Sequence, residues 1–511
     1  MPKEMRTTAK ERNDRVRRQQ GASISTKCRV VIGVLFAGFS LSPVDVAAQK
    51  AKPIFQAGAA TSDITPFLGT DLIGGFAPRG AAYIHDPLLA RCLVLDDGKT
   101  RIAIVIIDNV KFPTEIHGPT KRRIEETTGL PPENVLIAGT HTHSAPSLRG
   151  KSYLELDEPL DEYQQFVIRR ITDGVRQAVA HLEPARIGWG SSDVPRHVFN
   201  RRWLLKDGET VTSPYGEQER AAMNPGRYLD RLDKPAGPVN PRVYFLSVDS
   251  LDGRPIALLA NYWLHYVGGT GSGHVSADYF GVFGRRIGEL MASPEQDPPF
   301  VGILSNGASG DINNNDYANY GKPGRKRYER YEKMREVADD LAREVVRARE
   351  TIEYHDWVPL GATAEVVTLR RRRPTPAEVR RAEETLEVSD PGLVESLDFR
   401  KRAIFARRAI EAADWPETAE IFVQALRIGE LGMAALPFEV FCEIGLEIEE
   451  RSPFPDTFVM ALANGGFGYL PSPRQHELGG YETWLTVAHT EEESSPKLVA
   501  KLMELFADLR E

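Results

Sequence analysis

The sequence predicts an α/β protein, a single large domain in which mixed β-sheets are packed by helices. Three observations predict it. Short apolar runs alternate with helix-forming stretches along the chain, the pattern of layered strands and helices. Two pairs of apolar runs flank Asp-Gly turns, at Asp97-Gly98 and Asp252-Gly253, the signature of hairpins. Finally, Arg101 to Ile107, a helical stretch and Val135 to Ala138 form a strand–helix–strand unit of about forty residues, enough for a parallel crossover.

The 511 residues are 41% hydrophobic and 27% charged, ample for a core and without the signature of disorder. The N-terminus stands apart. A strongly basic stretch over residues 1–29 leads into the apolar run Val30 to Leu41, and Val46-Ala47-Ala48 supplies small residues for cleavage. This pattern predicts an export signal over 1–48, processed after Ala48, and a secreted or periplasmic domain over 49–511. The apolar run is too short to span a bilayer comfortably, and no later segment is long and apolar enough to cross one. Removing 1–48 takes away nine basic and four acidic side chains, leaving a net charge of about −13. Such acidity argues against nucleic acid as a partner. Only Cys92 and Cys442 remain, too few for a disulfide framework. The sequence carries no signature of a particular oligomeric state.

In order, IFQAGAATSDIT predicts an opening strand, and the Gly-rich stretch after it predicts turns, since no helix start follows. The first hairpin then ends in Asp108. Its second strand is apolar throughout, as expected of a strand covered on both faces. A helix is expected over Pro119 to Thr128, stopped by Gly129. The strand Val135 to Ala138 delivers GTHTHSAPS, Gly139 to Ser147. Residues 161–182 carry an amphipathic stripe that belongs to the core, and 201–240 read as a long polar surface loop. The second hairpin, Arg242 to Tyr262, runs to His265. A helix follows Ser276-Ala277-Asp278, and the strand Phe300 to Leu304 leads to SNGASGDINNN. Charged helices are expected over 326–352 and 375–413, the second broken near Asp390-Pro391-Gly392, with 374–414 a helical insertion. A strand region over Ile421 to Ala435, a strand over Thr457 to Ala463 and a terminal helix close the chain.

His141 and His143 stand two apart at a strand end. In an extended segment such residues share a side, so both imidazoles could reach one metal. In open α/β sheets ligands gather at the carboxyl ends of strands. His265 and Glu439 also follow apolar strands and are the further candidates for a site of three or four N/O ligands. His274 is the rival third histidine. Asp108, Asp278 and Asp311 could each orient a ligand histidine or serve as turn and cap carboxylates. Arg201 and Arg202, in FNRRW, could bind an anionic substrate group or form a surface salt bridge.

These segments resemble the neutral/alkaline (non-lysosomal) ceramidases. GTHTHSAPS is similar to the family's zinc-binding HTHSGPG. ANYWLHYVGGTGSGHVSADYFG resembles its third-histidine segment, and ALPFEVF its LPGEF segment. LANGGFGYLPS with GGYE resembles the tyrosine-bearing LANAYxxYVTT…YEG, and AGAATSDIT and IHDPLLAR match the family's entry. The resemblance implies one Zn2+ per chain held by His141, His143, His265, Glu439 and Tyr469, and it favours His265 over His274. It also implies a zinc-dependent hydrolase acting on the linear amide C–N bond of ceramide, a related N-acyl lipid or a small amide. Zinc would polarise the carbonyl and activate water, with Tyr469 stabilising the developing oxyanion.

Two departures sharpen this expectation. Asn313, in GDINNN, stands where the family carries a proposed catalytic serine, and an amide side chain is no nucleophile. Metal-activated water is therefore the expected route. The family's C-terminal β-sandwich domain has no counterpart in the sequence, so the likeness is to the catalytic N-terminal domain. Two other readings accompany it: a ceramidase-fold binding protein with altered or lost turnover, motivated by Asn313, and a barrel-type metal-dependent amidohydrolase, which also uses His-x-His.

Overall fold

The computed structural model describes residues 53–73, 79–148, 159–292, 294–388 and 397–511. The predicted export signal and the break near Asp390 lie outside them. Two large sheets with helices packed on them, and several smaller ladders, make up the described chain. The first has eight strands: β1 (Gln56–Asp63), β2 (Leu89–Asp96), β3 (Arg101–Ile107), β4 (Val135–Gly139), β5 (Glu183–Asp193), β6 (Arg242–Ser250), β7 (Pro255–Tyr262) and β8 (Val301–Asn306). Their order is β8-β7-β6-β5-β1-β2-β3-β4. Both predicted hairpins are present, β2–β3 and β6–β7, with Gly98 and Gly253 at positive φ in their turns. The outer pairs β3–β4 and β7–β8 are parallel, and the intervening pairs are antiparallel. The sheet is thus mixed, with no barrel.

Each parallel pair needs a helical crossover. The first is α1 (Thr114–Thr128), ended by Gly129 at φ 73°. It begins before the expected Pro119, which lies inside the helix. Proline suits a first turn but is tolerated further in at the cost of one backbone bond. The second crossover is α3 (Asp278–Met291), which buries Phe280, Phe283 and Ile287. Between them α2 (Glu162–Ala180) starts in a capping box of Asp161 with Gln164.

The continuous apolarity of β3 has its expected cause. Ile102, Ile104 and Ile106 share a buried cluster with Leu259 and Ile303 from the other half of the sheet. Ala103, Val105 and Ile107 pack with Ile116 and Ile124 of α1 and Val167 and Ile171 of α2. Each such buried aliphatic side chain contributes about 1.5–3 kcal/mol.

The second sheet holds β9 (Leu360–Arg370), β10 (Thr418–Ile428), β11 (Leu431–Ala435) and β12 (Asp456–Met460), in the order β9-β10-β11-β12. The strand region Ile421 to Ala435 is therefore a tight hairpin, turned at Gly429 with φ 62°. The β-rich stretch Leu360–Arg370 is an eleven-residue strand that the sequence analysis passed over. The remaining helices are α4 (Glu332–Arg349), α5 (Pro376–Glu387), α6 (Leu397–Ala412), α7 (Cys442–Arg451), α8 (Pro473–Leu478) and α9 (Ser494–Arg510). None among the described residues is long and apolar enough to cross a membrane. Cys92 and Cys442 are both free and buried.

The stretch 201–240 corrects the sequence expectation. It is not a surface loop: Arg202–Leu205 pairs with both Ala221–Met223 and Leu232–Pro235, and Arg201 and Arg202 are buried.

Candidate metal centre

The two crossovers bring their strand ends together. Beyond β3 and β4 the chains stay paired, Thr140 N–H donating to Ile107 O and His141 N–H to Asn109 O, each at 2.9 Å. His141 then takes φ 73°, a left-handed conformation rare for a side chain of this size. The pair therefore converges by a backbone turn at His141, not by the alternation of an extended strand. Such strain persists only where surrounding contacts enforce it, and it concentrates at functional sites.

His141 Nδ1 donates to Val110 O at 2.8 Å, just past β3, and His265 Nδ1 donates to Ser309 O at 3.0 Å, just past β8. In each crossover the tail of one strand fixes the histidine on the tail of its parallel neighbour. A carbonyl can only accept, so each ring in its neutral form carries its lone pair on Nε2. Those two Nε2 atoms face each other at 2.9 Å, and His143 Nε2 lies 3.2 Å from His141 Nε2. The three form a group able to hold a metal, with ligand atoms all within 4.8 Å of one another.

Glu439 Oε2 completes the cluster, 3.3 Å from His141 Nε2 and 3.5 Å from His265 Nε2. This oxygen is buried and has no hydrogen-bond donor. Facing lone pairs beside an orphaned carboxylate oxygen are repulsive unless a cation lies among them. The donor set therefore fits a metal ion.

Glu439 is delivered by the turn after β11. Its N–H donates to Gly468 O at 2.9 Å, and it registers with Tyr469 in a two-residue parallel ladder, Glu439–Val440 with Tyr469–Leu470. Gly310 packs so close that a Cβ there would sit 2.4 Å from Glu439 O. The Tyr469 hydroxyl accepts from Arg201 Nη2 at 2.9 Å and hydrogen-bonds Glu439. Burial opposes ionisation of Glu439, yet His141 when protonated, with the Tyr469 hydroxyl and the Arg201 charge, holds its carboxyl down at about 2. Burial, with Arg201 beside it, keeps His265 neutral well below the usual imidazole range. Burial also lifts the Tyr469 phenol well above its ordinary value, so it stays a hydroxyl.

The three aspartates do not orient the histidines. Asp108 is taken up by Arg91, at 2.7 and 2.8 Å, and by Leu89 N–H. Asp278 accepts from the N–H groups of Val267, Gly268 and Tyr279. Asp311 accepts from Asn200 Nδ2 and Cys442 N–H. Burial pushes both Asp278 and Asp311 up to about 6. They organise the loops that carry the ligands, and backbone carbonyls orient the rings instead.

Asn313 is engaged by Asn224, its Nδ2 donating at 2.7 Å, and its Oδ1 caps Asn315 N–H. Ser309 donates to Asn306 Oδ1. His274 is removed from the cluster and pairs with Tyr331. The surface-salt-bridge option for Arg201 and Arg202 is overturned: both bind the fully buried Glu482, each at 2.8 Å.

Glu482 and Tyr266 were not legible as site residues in the sequence. Tyr266 stacks on His143 at 3.7 Å between centroids. Its signal was only its place beside His265. Glu482 sat in the quoted GGYE, where two glycines ahead of an acid mark a close approach of backbone.

The chain matches the family model for neutral/alkaline non-lysosomal ceramidase, N-terminal, over residues 55–322. It is 24% identical to neutral ceramidase A of Dictyostelium discoideum over 271 residues, 51% of this chain and 36% of that protein. It is 23% identical to that organism's neutral ceramidase B over 270 residues, with the same coverage. The match thus spans about a third of the length of these relatives. Among solved structures, neutral ceramidase from Pseudomonas aeruginosa aligns with a TM-score of 0.65 at 16% identity, over 89% of this chain and 74% of that one. A ceramidase complexed with C2 aligns at 0.68 and 16%, over 89% and 75%. At these identities the structural likeness speaks for the fold. His141, His143, His265 and Asn313 fall inside the matched region, whereas Glu439 and Tyr469 lie beyond it.

Proposed function

The chain belongs to the neutral/alkaline non-lysosomal ceramidase family, and from that premise we propose that it is a zinc-dependent amidohydrolase cleaving the N-acyl bond of ceramide, a related lipid or a smaller amide. The observation that carries the proposal is the convergence of three imidazoles able to hold one ion, two of which, His141 and His265, also face the orphaned Oε2 of Glu439. A set of imidazoles, carboxylate and phenol suits zinc. His141, His143, His265, Glu439 and Tyr469 are the residues that would hold it. Bound there, zinc supplies a Lewis acid that polarises the amide carbonyl and acidifies water.

The chain's own groups do the rest. Carbonyls of Val110 and Ser309 fix the ring tautomers. Tyr469 presents a neutral hydroxyl held by Arg201 and Glu439, whose one proton would turn from the Glu439 carboxylate to the substrate oxygen as negative charge develops there. Burial of His265, Tyr469 and the Glu439 Oε2 atom keeps bulk water from weakening these interactions. Asn313, held by Asn224, offers no nucleophile. Export belongs to the same proposal, supported by the basic and apolar stretches ahead of Ala48. N-terminal sequencing of the mature chain, expected to begin at Gln49, tests that part.

The central test is metal analysis together with a hydrolysis screen against ceramides and shorter N-acyl compounds. The expected result is about one zinc per chain, turnover of an N-acyl substrate, and loss of both in His141→Ala/His143→Ala. Retention of zinc by that variant would sink the proposal. Tight N-acyl lipid binding without hydrolysis would favour the alternative that Asn313 motivates, a binding protein on this fold.

A further inference from the structure

Behind Tyr469 lies a buried charge network of which the proposed reaction uses only Arg201. Glu482, in the turn Tyr481–Thr483, is fully buried and spends one oxygen on each of two consecutive arginines. Oε1 accepts from Arg201 Nε and Oε2 from Arg202 Nη1. The two arginines are held very differently. Arg202 is saturated: Nε reaches Gln475 Oε1, Nη2 reaches Gly479 O, and the guanidinium lies over the Phe441 ring at 5.3 Å. Gly480, at φ 101°, passes so close that a Cβ would stand 2.8 Å from Arg202 Nη1. Arg202 is thus an immobile anchor.

Arg201 is held only through Nε by Glu482 and through Nη2 by the Tyr469 hydroxyl; its Nη1 has no hydrogen bond among the described residues. Charges alternate along Arg202, Glu482 and Arg201, and the neutral Tyr469 hydroxyl links Arg201 to Glu439. A guanidinium is planar, so fixing Nε and Nη2 also fixes where the Nη1 hydrogens point.

We propose that Glu482 is a positioning residue: braced on Arg202, it locks the Arg201 guanidinium so that Arg201 aligns the Tyr469 hydroxyl and directs its remaining N–H groups at the carbonyl oxygen of the substrate. This rests on the amidohydrolase proposal above. The bland alternative is that Glu482 only neutralises two arginines in the core.

Glu482→Asp keeps the charge, and with it the fold, but withdraws the carboxylate by one methylene. The expected result is a fall in kcat of about a hundredfold, as for a misplacement of about 1 Å, with KM changed less than about threefold and zinc content unchanged. A second variant guards against misfolding. Glu482→Gln/Arg202→Met removes one charge of each sign, keeping the net buried charge, and should show the same kcat loss. Combining Glu482→Asp with Arg201→Lys should cost no more than Arg201→Lys alone, because both act through one guanidinium. Wild-type kcat in Glu482→Asp, or losses that multiply in the double variant, would overturn the inference while leaving the amidohydrolase proposal intact. A wild-type protein inert toward every N-acyl substrate would instead overturn the proposal on which it rests.

Discussion

Glu439 and Tyr469 are register partners in a parallel ladder only two residues long, so the carboxylate nearest the histidines and the hydroxyl beside it move as one unit. The spacing between a charge that would hold a metal and a donor that would meet an oxyanion is therefore set by backbone hydrogen bonds, not by flexible side chains.

Tyr469→Phe should leave this ladder intact while removing the donor. In protein saturated with zinc, which offsets the loss of this candidate ligand, we expect a fall in kcat of about a hundredfold, as for loss of one oxyanion donor. Steady-state kinetics with metal quantification check it; unchanged kcat would remove Tyr469 from the chemistry.

Gly310→Ala places a methyl group 2.4 Å from Glu439 O. The ladder must shift, at a cost of about 1–3 kcal/mol of stability. Because the shift displaces a candidate ligand, zinc affinity should weaken by about tenfold or more. Chelator competition and thermal unfolding measure the two effects. Weaker stability with unaltered zinc affinity would argue against Glu439 as a ligand.

Asn313→Ala tests whether the asparagine takes part in bond making. It loses the hydrogen bond to Asn224 but no reacting group, so kcat should stay within about tenfold of the wild type. Abolished turnover in a folded, zinc-loaded variant would contradict the metal-activated-water route.

Stability should depend on pH through Glu449, far from the chemistry. Burial lifts its carboxyl from the ordinary 4.5 to about 7, although the Tyr244 hydroxyl donates to it. Between those values the unfolded chain has released the proton and the folded chain retains it. The folded state binds more protons there, so stability falls as pH rises from about 4.5 to 7, by on the order of 1–3 kcal/mol. Glu449→Gln should flatten that slope in urea unfolding at pH 5 and pH 8. An unchanged slope would assign the pH dependence to other groups.

Much of the fold was legible because it is written locally. The Asp-Gly turns, the unbroken apolarity of β3 and the stop at Gly129 all act within a few residues, and each stands where the sequence placed it. Two local details fell differently. Pro119 lies inside α1, and the Ile421 to Ala435 region folds back at Gly429 because a glycine can take positive φ.

The sequence by itself determined which residues could serve: two histidines spaced by one residue, and a third histidine and a glutamate after apolar strands; its resemblance to the family added an asparagine where a proposed catalytic serine would stand. Tertiary structure decided how they meet. His141 aims its ring through a left-handed turn, and carbonyls of Val110 and Ser309 do the orienting expected of Asp108, Asp278 and Asp311. Arg201 and Arg202, which read as surface residues, are buried against a glutamate 281 and 280 positions away. Periodicity and turn chemistry record what a residue does to its near neighbours. A buried charge is tolerable only with its partner, and that partner is chosen by the folded chain.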